Sequence, residues 1–201
     1  MKNIRLPHLL CRFTTLFFIG CATPARVDEM RISSMDSSRY DGNTPLKDNV
    51  TVTSVTGGKG TNPLWTSEIS SESYKEALMD SLMAVKLLSK DTNAADYDLR
   101  VEMLKVKQPL IGIDFSVTTI IEYWLTRTSD NKEVYHDVVE ATYIAEFSDA
   151  FVAIERLKLA NEGAGRLNIT RIIDRLYKLE LPTTRIAINR SSFLFRRIRR
   201  D

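Results

Sequence analysis

The sequence is poor in the residues that carry most enzyme chemistry. Its 201 residues include two cysteines and two histidines. Two cysteines exclude a disulfide-built scaffold and a four-cysteine zinc site. Two histidines leave little room for histidine-based catalysis. No uninterrupted apolar run reaches the ~18 residues that mark a spanning helix, so a polytopic membrane protein is not expected. No internal repeat is visible, which excludes a solenoid. Hydrophobic residues make up 43% and charged residues 27%, a balance that suits a folded chain rather than a disordered one. The length suits one modest domain with appendages.

The first twenty residues read as a targeting segment. Lys2, Arg5 and Arg12 give it a positive start, and Phe13 to Gly20 form a short apolar run. That run stops at Ile19-Gly20-Cys21 and is followed by Ala22-Thr23-Pro24. Gly20-Cys21 resembles the lipobox of bacterial lipoproteins, whose cysteine is lipidated and becomes the first residue of the mature chain. The resemblance implies a thioether-linked diacylglycerol on Cys21, usually with a third chain on its amine. Each buried methylene contributes about 0.8 kcal/mol, so two or more chains anchor stably. Position 22 is Ala, not the Asp that commonly retains such proteins in the inner membrane. The implied address is the periplasm-facing leaflet of a Gram-negative outer membrane. Cys11 would leave with the signal, so no free thiol would remain.

Processing changes the charge. Residues 1–20 carry three cations and no anions, so the mature chain has 25 basic against 26 acidic residues. The tail from Arg190 to Asp201 holds five Arg and one Asp, which leaves 20 against 25 for residues 21–189. The basic balance of the full chain therefore resides in its two ends.

Four segments are expected: a signal over 1–20, a lipidated N-terminus and tether over 21–48, a folded domain over 49–182 and a basic tail over 183–201. The tether is poor in periodicity and rich in Ser, Asp, Gly and Asn; as a coil it would span on the order of 30 Å. Val50 to Val55 alternates as a strand. The following Gly57-Gly58-Lys59-Gly60 lacks the spacing of a phosphate-binding loop and reads as a flexible connection. Tyr74, Leu78, Leu82 and Val85 mark one face of a helix over about 72–89, with Ser73 and Glu76 as a capping box or Ser71 as the cap. Residues 96–107 alternate as a second strand. Phe115 to Leu125 is a third, Ser129 to Lys132 a turn, and 133–146 a fourth strand with Tyr135, Val139, Ala141 and Tyr143 on its core face. Ser148 is expected to cap a closing helix whose stripe includes Phe151, Ile154, Leu157, Asn161, Ala164, Asn168, Ile172 and Leu176. Gly163 and Gly165 within it each cost about 1 kcal/mol relative to Ala, and so mark either a close approach to the sheet or a kink. Ile186, Ile188, Phe193 and Phe195 offer an edge strand in the tail.

The order strand, helix, strand, strand, strand, helix implies an α+β fold, with both helices on one face of a mixed, mainly antiparallel sheet. Over residues 21–181 this order also resembles small outer-membrane lipoproteins that serve as accessory parts of envelope machines. Among them is the family that plugs the lipopolysaccharide-insertion barrel. That resemblance implies a non-catalytic module that docks a larger envelope assembly, or one that handles lipopolysaccharide.

Candidate chemistry is sparse. His136 is the one histidine after Cys21, and it reads as a structural or exposed strand residue. Metal ligands do not converge and no nucleophile elbow is present, so neither an enzyme nor a cofactor is expected. Aromatics are more informative. Trp65 lies before the first helix. Ile120 and Trp124 lie on the face of the third strand opposite its regular apolar series. A strand apolar on both faces needs a cover, and a partner protein would supply one through Trp65, Ile120 and Trp124. Arg196, Arg197, Arg199 and Arg200 form a basic cluster suited to lipid A phosphates or an acidic partner. Nucleic acid is not expected for an exported chain.

Overall fold

The computed structural model describes residues 22–62, 66–109 and 111–181. Two short helices come first, α1 (Val27–Met30) and α2 (Ser34–Ser37). Two short strands, β1 (Val50–Thr51) and β2 (Val55–Thr56), precede helix α3 (Ser71–Ala84). Strands β3 (Tyr97–Lys107), β4 (Phe115–Arg127) and β5 (Lys132–Ala145) lead to helix α4 (Ala153–Tyr177). β3, β4 and β5 form an antiparallel meander, while β1 and β2 pair parallel to the outer edge of β3. The fold is α+β with a mixed sheet, as the element order implies.

Strand alternation decides which face is buried. Along β4, Phe115, Val117, Thr119, Ile121, Tyr123 and Leu125 are buried, while the residues between them are exposed or half-buried. Ile121, Tyr123 and Leu125 meet Tyr74, Leu78 and Leu82 of α3 and Ile169, Ile172, Ile173 and Leu176 of α4 in the main core, while Phe115 and Val117 pack with Leu157, Ala160 and Ala164 in a second cluster. Burial of that many large side chains, each contributing about 1.5–3 kcal/mol, is the main stabilising term.

A polar network crosses this core. Tyr74 and Tyr123 share a 2.6 Å hydroxyl contact, and Tyr123 donates to Asn168 Oδ1 at 2.7 Å. Asn168 Nδ2 donates to Thr119 Oγ1 and to the Val139 carbonyl. Burial pushes both tyrosines above their ordinary ionisation range, so they are neutral links between α3, β4 and α4.

Residues 22–48 depart from the expected tether. Met30 and Leu46 are fully buried, and Ala22, Ala25 and Ile32 nearly so. Ala25 N–H donates to the Glu68 carbonyl, Ile32 N–H to Ser81 Oγ, and Tyr40 OH to Asp174. Arg26 clamps Glu162 of α4 through both carboxylate oxygens, at 3.0 and 3.2 Å. The segment is a strap over α3 and α4. Its apolar residues fill a groove between two helices, so they follow no single helical or strand period.

Other boundaries move for local reasons. Ser70 caps α3 by accepting from Ser73 N–H, and the Ser71 hydroxyl accepts from Gly58 N–H instead. The helix stops at Ala84 because Lys86 turns left-handed, which frees Leu87–Ser89 to bond with Val50. The Gly57–Gly58 connection is pinned, not flexible. A Cβ on Gly57 would lie 2.3 Å from the Met103 carbonyl oxygen, and one on Gly58 2.2 Å from Ser71 N. Helix α4 starts at Ala153, not Ser148, so Phe151 lies in the preceding loop and is exposed. α4 runs unbroken through its glycines, and Gly163 sits against the Tyr143 ring.

Candidate functional site

The helices cover one face of the sheet and leave the other open. Register places the side chains of that open face in rows across β3, β4 and β5. Arg100, Trp124 and His136 form one row; Glu102, Glu122 and Val138 the next; Lys105, Ile120 and Glu140 the third. A bulge between Met103 and Lys105 leaves Leu104 unpaired and exposed.

Trp124 is the centre of the first row. Its ring stacks on the His136 imidazole at 5.4 Å between centroids and 8° between planes. The Arg100 guanidinium stands 5.8 Å from the Trp124 centroid on the neighbouring strand. His136 Nε2 meets Glu122 Oε1 at 2.6 Å, and a carboxylate there can only accept. Trp124 is thus held between two polar planar groups, a rigid aromatic platform with little rotamer freedom to lose on contact. A cleft of about 290 Å³ opens beside it, bounded by Ser54, Thr56, Arg100, Glu102 and Trp124. Ile120 is half-buried two rows away, with Leu104 and Val138 exposed beside it and Ile144 exposed two rows further on, opposite Ser116. Charged groups between them pair within the face, as Lys107 does with Glu140 at 3.7 Å.

Of the site residues read from the sequence, Ile120 and Trp124 therefore share this face. Trp65, Cys21 and the Arg196, Arg197, Arg199 and Arg200 cluster lie outside the described residues, as does the tail segment offered as an edge strand. Among the described residues, the strap covers the helices and nothing covers this sheet face. Sequence reasoning missed Arg100 as a partner of Trp124. Its place on the polar side of β3 was legible, but the register that sets it opposite Trp124 was not.

No family model matches the sequence, and no curated protein matches it. Solved structures give partial likenesses in fold. A DUF330-family protein from Xanthomonas campestris is 11% identical, with a TM-score of 0.47 over 62% of this chain and 81% of that one. A candidate lipoprotein from Caulobacter crescentus is 15% identical, with a TM-score of 0.47 over 65% and 89%. A PelC dodecamer from Paraburkholderia phytofirmans is 14% identical, with a TM-score of 0.46 over 67% and 91%.

Among the described residues, no group of three or more His, Cys, Asp or Glu side chains converges as a metal site. No described helix is long and apolar enough to cross a membrane. The face offers a fixed indole, a cation, a carboxylate–imidazole pair and apolar side chains between them, the mixture found at protein interfaces.

Proposed function

We propose that this chain is a non-catalytic, lipid-anchored module of the bacterial envelope that docks and positions a larger assembly on the open face of its sheet. Cys21 would carry the lipid, and the outer membrane is the address its neighbouring Ala22 favours. The observation that carries the reading is the asymmetry of the sheet. Among the described residues, one face is sealed by α3 and α4, while the other is uncovered and still carries Trp124, Ile120, Leu104, Val138 and Ile144. Single exposed apolar residues are ordinary, but a file of them running along the face from a pre-stacked tryptophan fits a partner surface.

Site-specific photo-crosslinking in native membranes tests it. A photoreactive residue at Ile120 or Val138 should give one discrete adduct, and one at exposed Met83 on α3 should give none. Trp124→Ala should abolish the adduct while leaving the unfolding midpoint close to that of the parent. Equal labelling from both faces, or none from the sheet, would overturn the docking assignment.

A further inference from the structure

Apart from Met35 and Met83, the exposed large apolar side chains outside the open face gather at one end of the sheet. Ile111 is 90% exposed and Ile113 76% in the β3–β4 connection, and Phe151 is 79% exposed in the loop between β5 and α4. Phe147 and Val152 of the same loop are also exposed. The two loops are fastened to each other. Phe147 N–H donates to Asp114 Oδ1 at 3.0 Å, and Phe147 meets Phe151 edge-on at 5.5 Å. Arg156 supports them from beneath, 5.0 Å from the Phe115 ring and 5.1 Å from the Phe147 ring, and donates to the Ala150 carbonyl. Two of the three carboxylates of these loops are exposed but tied to loop backbone N–H groups. Asp114 accepts from Phe147 N–H, and Asp149 accepts from Glu146 N–H.

The N-terminal strap begins at this same end. Gln108, next to the first loop, donates to the Ser67 carbonyl and to Glu68. Ala25, four residues after Cys21, donates to the Glu68 carbonyl. Asp149 of the second loop lines one cleft, of about 300 Å³, together with Glu29 and with Glu162, the partner of Arg26. The position that would carry the lipid therefore leads into the fold beside both loops.

We propose that these two loops form a lipid-contacting end, with Ile111, Ile113, Phe147, Phe151 and Val152 seated in the interfacial region of the bilayer that holds the anchor. The proposal rests on the anchored reading of Cys21. A short leash from Cys21 to Ala25 holds this end against the membrane surface. Its apolar tips then enter the headgroup boundary, where apolar faces sink ~5–10 Å. The strands consequently stand away from the bilayer. Trp124 lies nine residues along β4 from Phe115, so at ~3.3 Å per residue its row is held about 30 Å from the lipid end, clear for a partner.

The test uses the full, lipidated chain reconstituted into phosphatidylethanolamine–phosphatidylglycerol vesicles. A polarity-sensitive fluorophore is attached in separate variants at Ile113→Cys, Phe151→Cys and, at the far end of the sheet, Ser129→Cys. Flotation reports anchoring, and quenching by spin-labelled lipid reports depth. The proposal expects blue-shifted, lipid-quenched emission at 113 and 151 and water-like emission at 129. Vesicle-bound protein with water-like emission at 113 and 151 would overturn it while leaving the anchor intact. Blue-shifted emission that lipid does not quench would overturn it in favour of burial against a second copy. Failure to float would remove the anchored reading and the proposal together.

Discussion

Gly163→Ala should destabilise the protein although alanine is the better helix former. In an unstrained helix interior the change would be favourable by about 1 kcal/mol. Here the new Cβ would lie 2.3 Å from Tyr143 Cδ1 and 2.4 Å from Cγ. These atoms are at the root of the ring, so rotation of the ring about its own axis does not relieve the contact. Either the tyrosine leaves the helix or α4 lifts from β5. Overpacking of this kind costs about 1–3 kcal/mol. Contact at the ring root places the cost in the upper part of that range, about 2–3 kcal/mol, so the net loss should be about 1–2 kcal/mol, or a melting temperature lower by roughly 2–8 °C for a domain of this size. Gly165→Ala is the internal control. Its Cβ meets the Met30 sulfur at 3.0 Å, and an unbranched methionine can move aside, so its effect should be near zero. The assay is urea unfolding of both variants, alone and with Tyr143→Ala. Gly163→Ala should lower the midpoint in the parent and become neutral or stabilising beside Tyr143→Ala. A higher midpoint in the parent background would refute the close-packing argument.

Three further outcomes follow from the same geometry. Arg26→Ala leaves the Glu162 carboxylate, whose side chain is 2% exposed, without its cation; with Arg26 itself 47% exposed the loss should be about 1–3 kcal/mol, below that of a fully buried pair, and amide exchange over residues 22–32 should quicken. Asn168→Ala removes the partner of Tyr123, Thr119 and the Val139 carbonyl at once and should cost about 2–4 kcal/mol in urea unfolding; a loss below 1 kcal/mol would mean that the network contributes little. Burial pushes the Asp137 carboxyl up, but the Tyr135 hydroxyl and the Arg175 guanidinium outweigh it and hold it below its ordinary 3.8. Its contribution is therefore present above that value and lost as pH falls through the lower folded value. Arg175→Ala should shrink the difference between urea midpoints at pH 7 and pH 3, and an unchanged difference would remove Asp137 from the acid response.

The sequence alone determined what short-range pattern can carry. Alternation fixed three long strands, and the polar Ser129-Asp130-Asn131-Lys132 turn fixed the β4–β5 hairpin. The Leu stripe of α3 and the 3–4 spacing of α4 gave two helices with one apolar face each. The double-sided apolarity around Ile120 and Trp124 was legible because each strand face is read by a period of two. Tertiary structure decided what depends on distant residues meeting. The strap of residues 22–48 shows no period because Met30, Ile32 and Leu46 answer to two helices at once. The left-handed Lys86 ends α3 early because Leu87–Ser89 must pair with Val50. Gly163 is a close approach and not a kink because Tyr143, twenty residues earlier, packs against it. Register alone brought Arg100 and His136 to Trp124, and the loops bearing Ile113 and Phe151 became one end of the molecule only when β4 paired with β5. Periodicity is a property of neighbours along the chain. Register, strapping and loop juxtaposition are properties of neighbours in space, and they are fixed when the core closes.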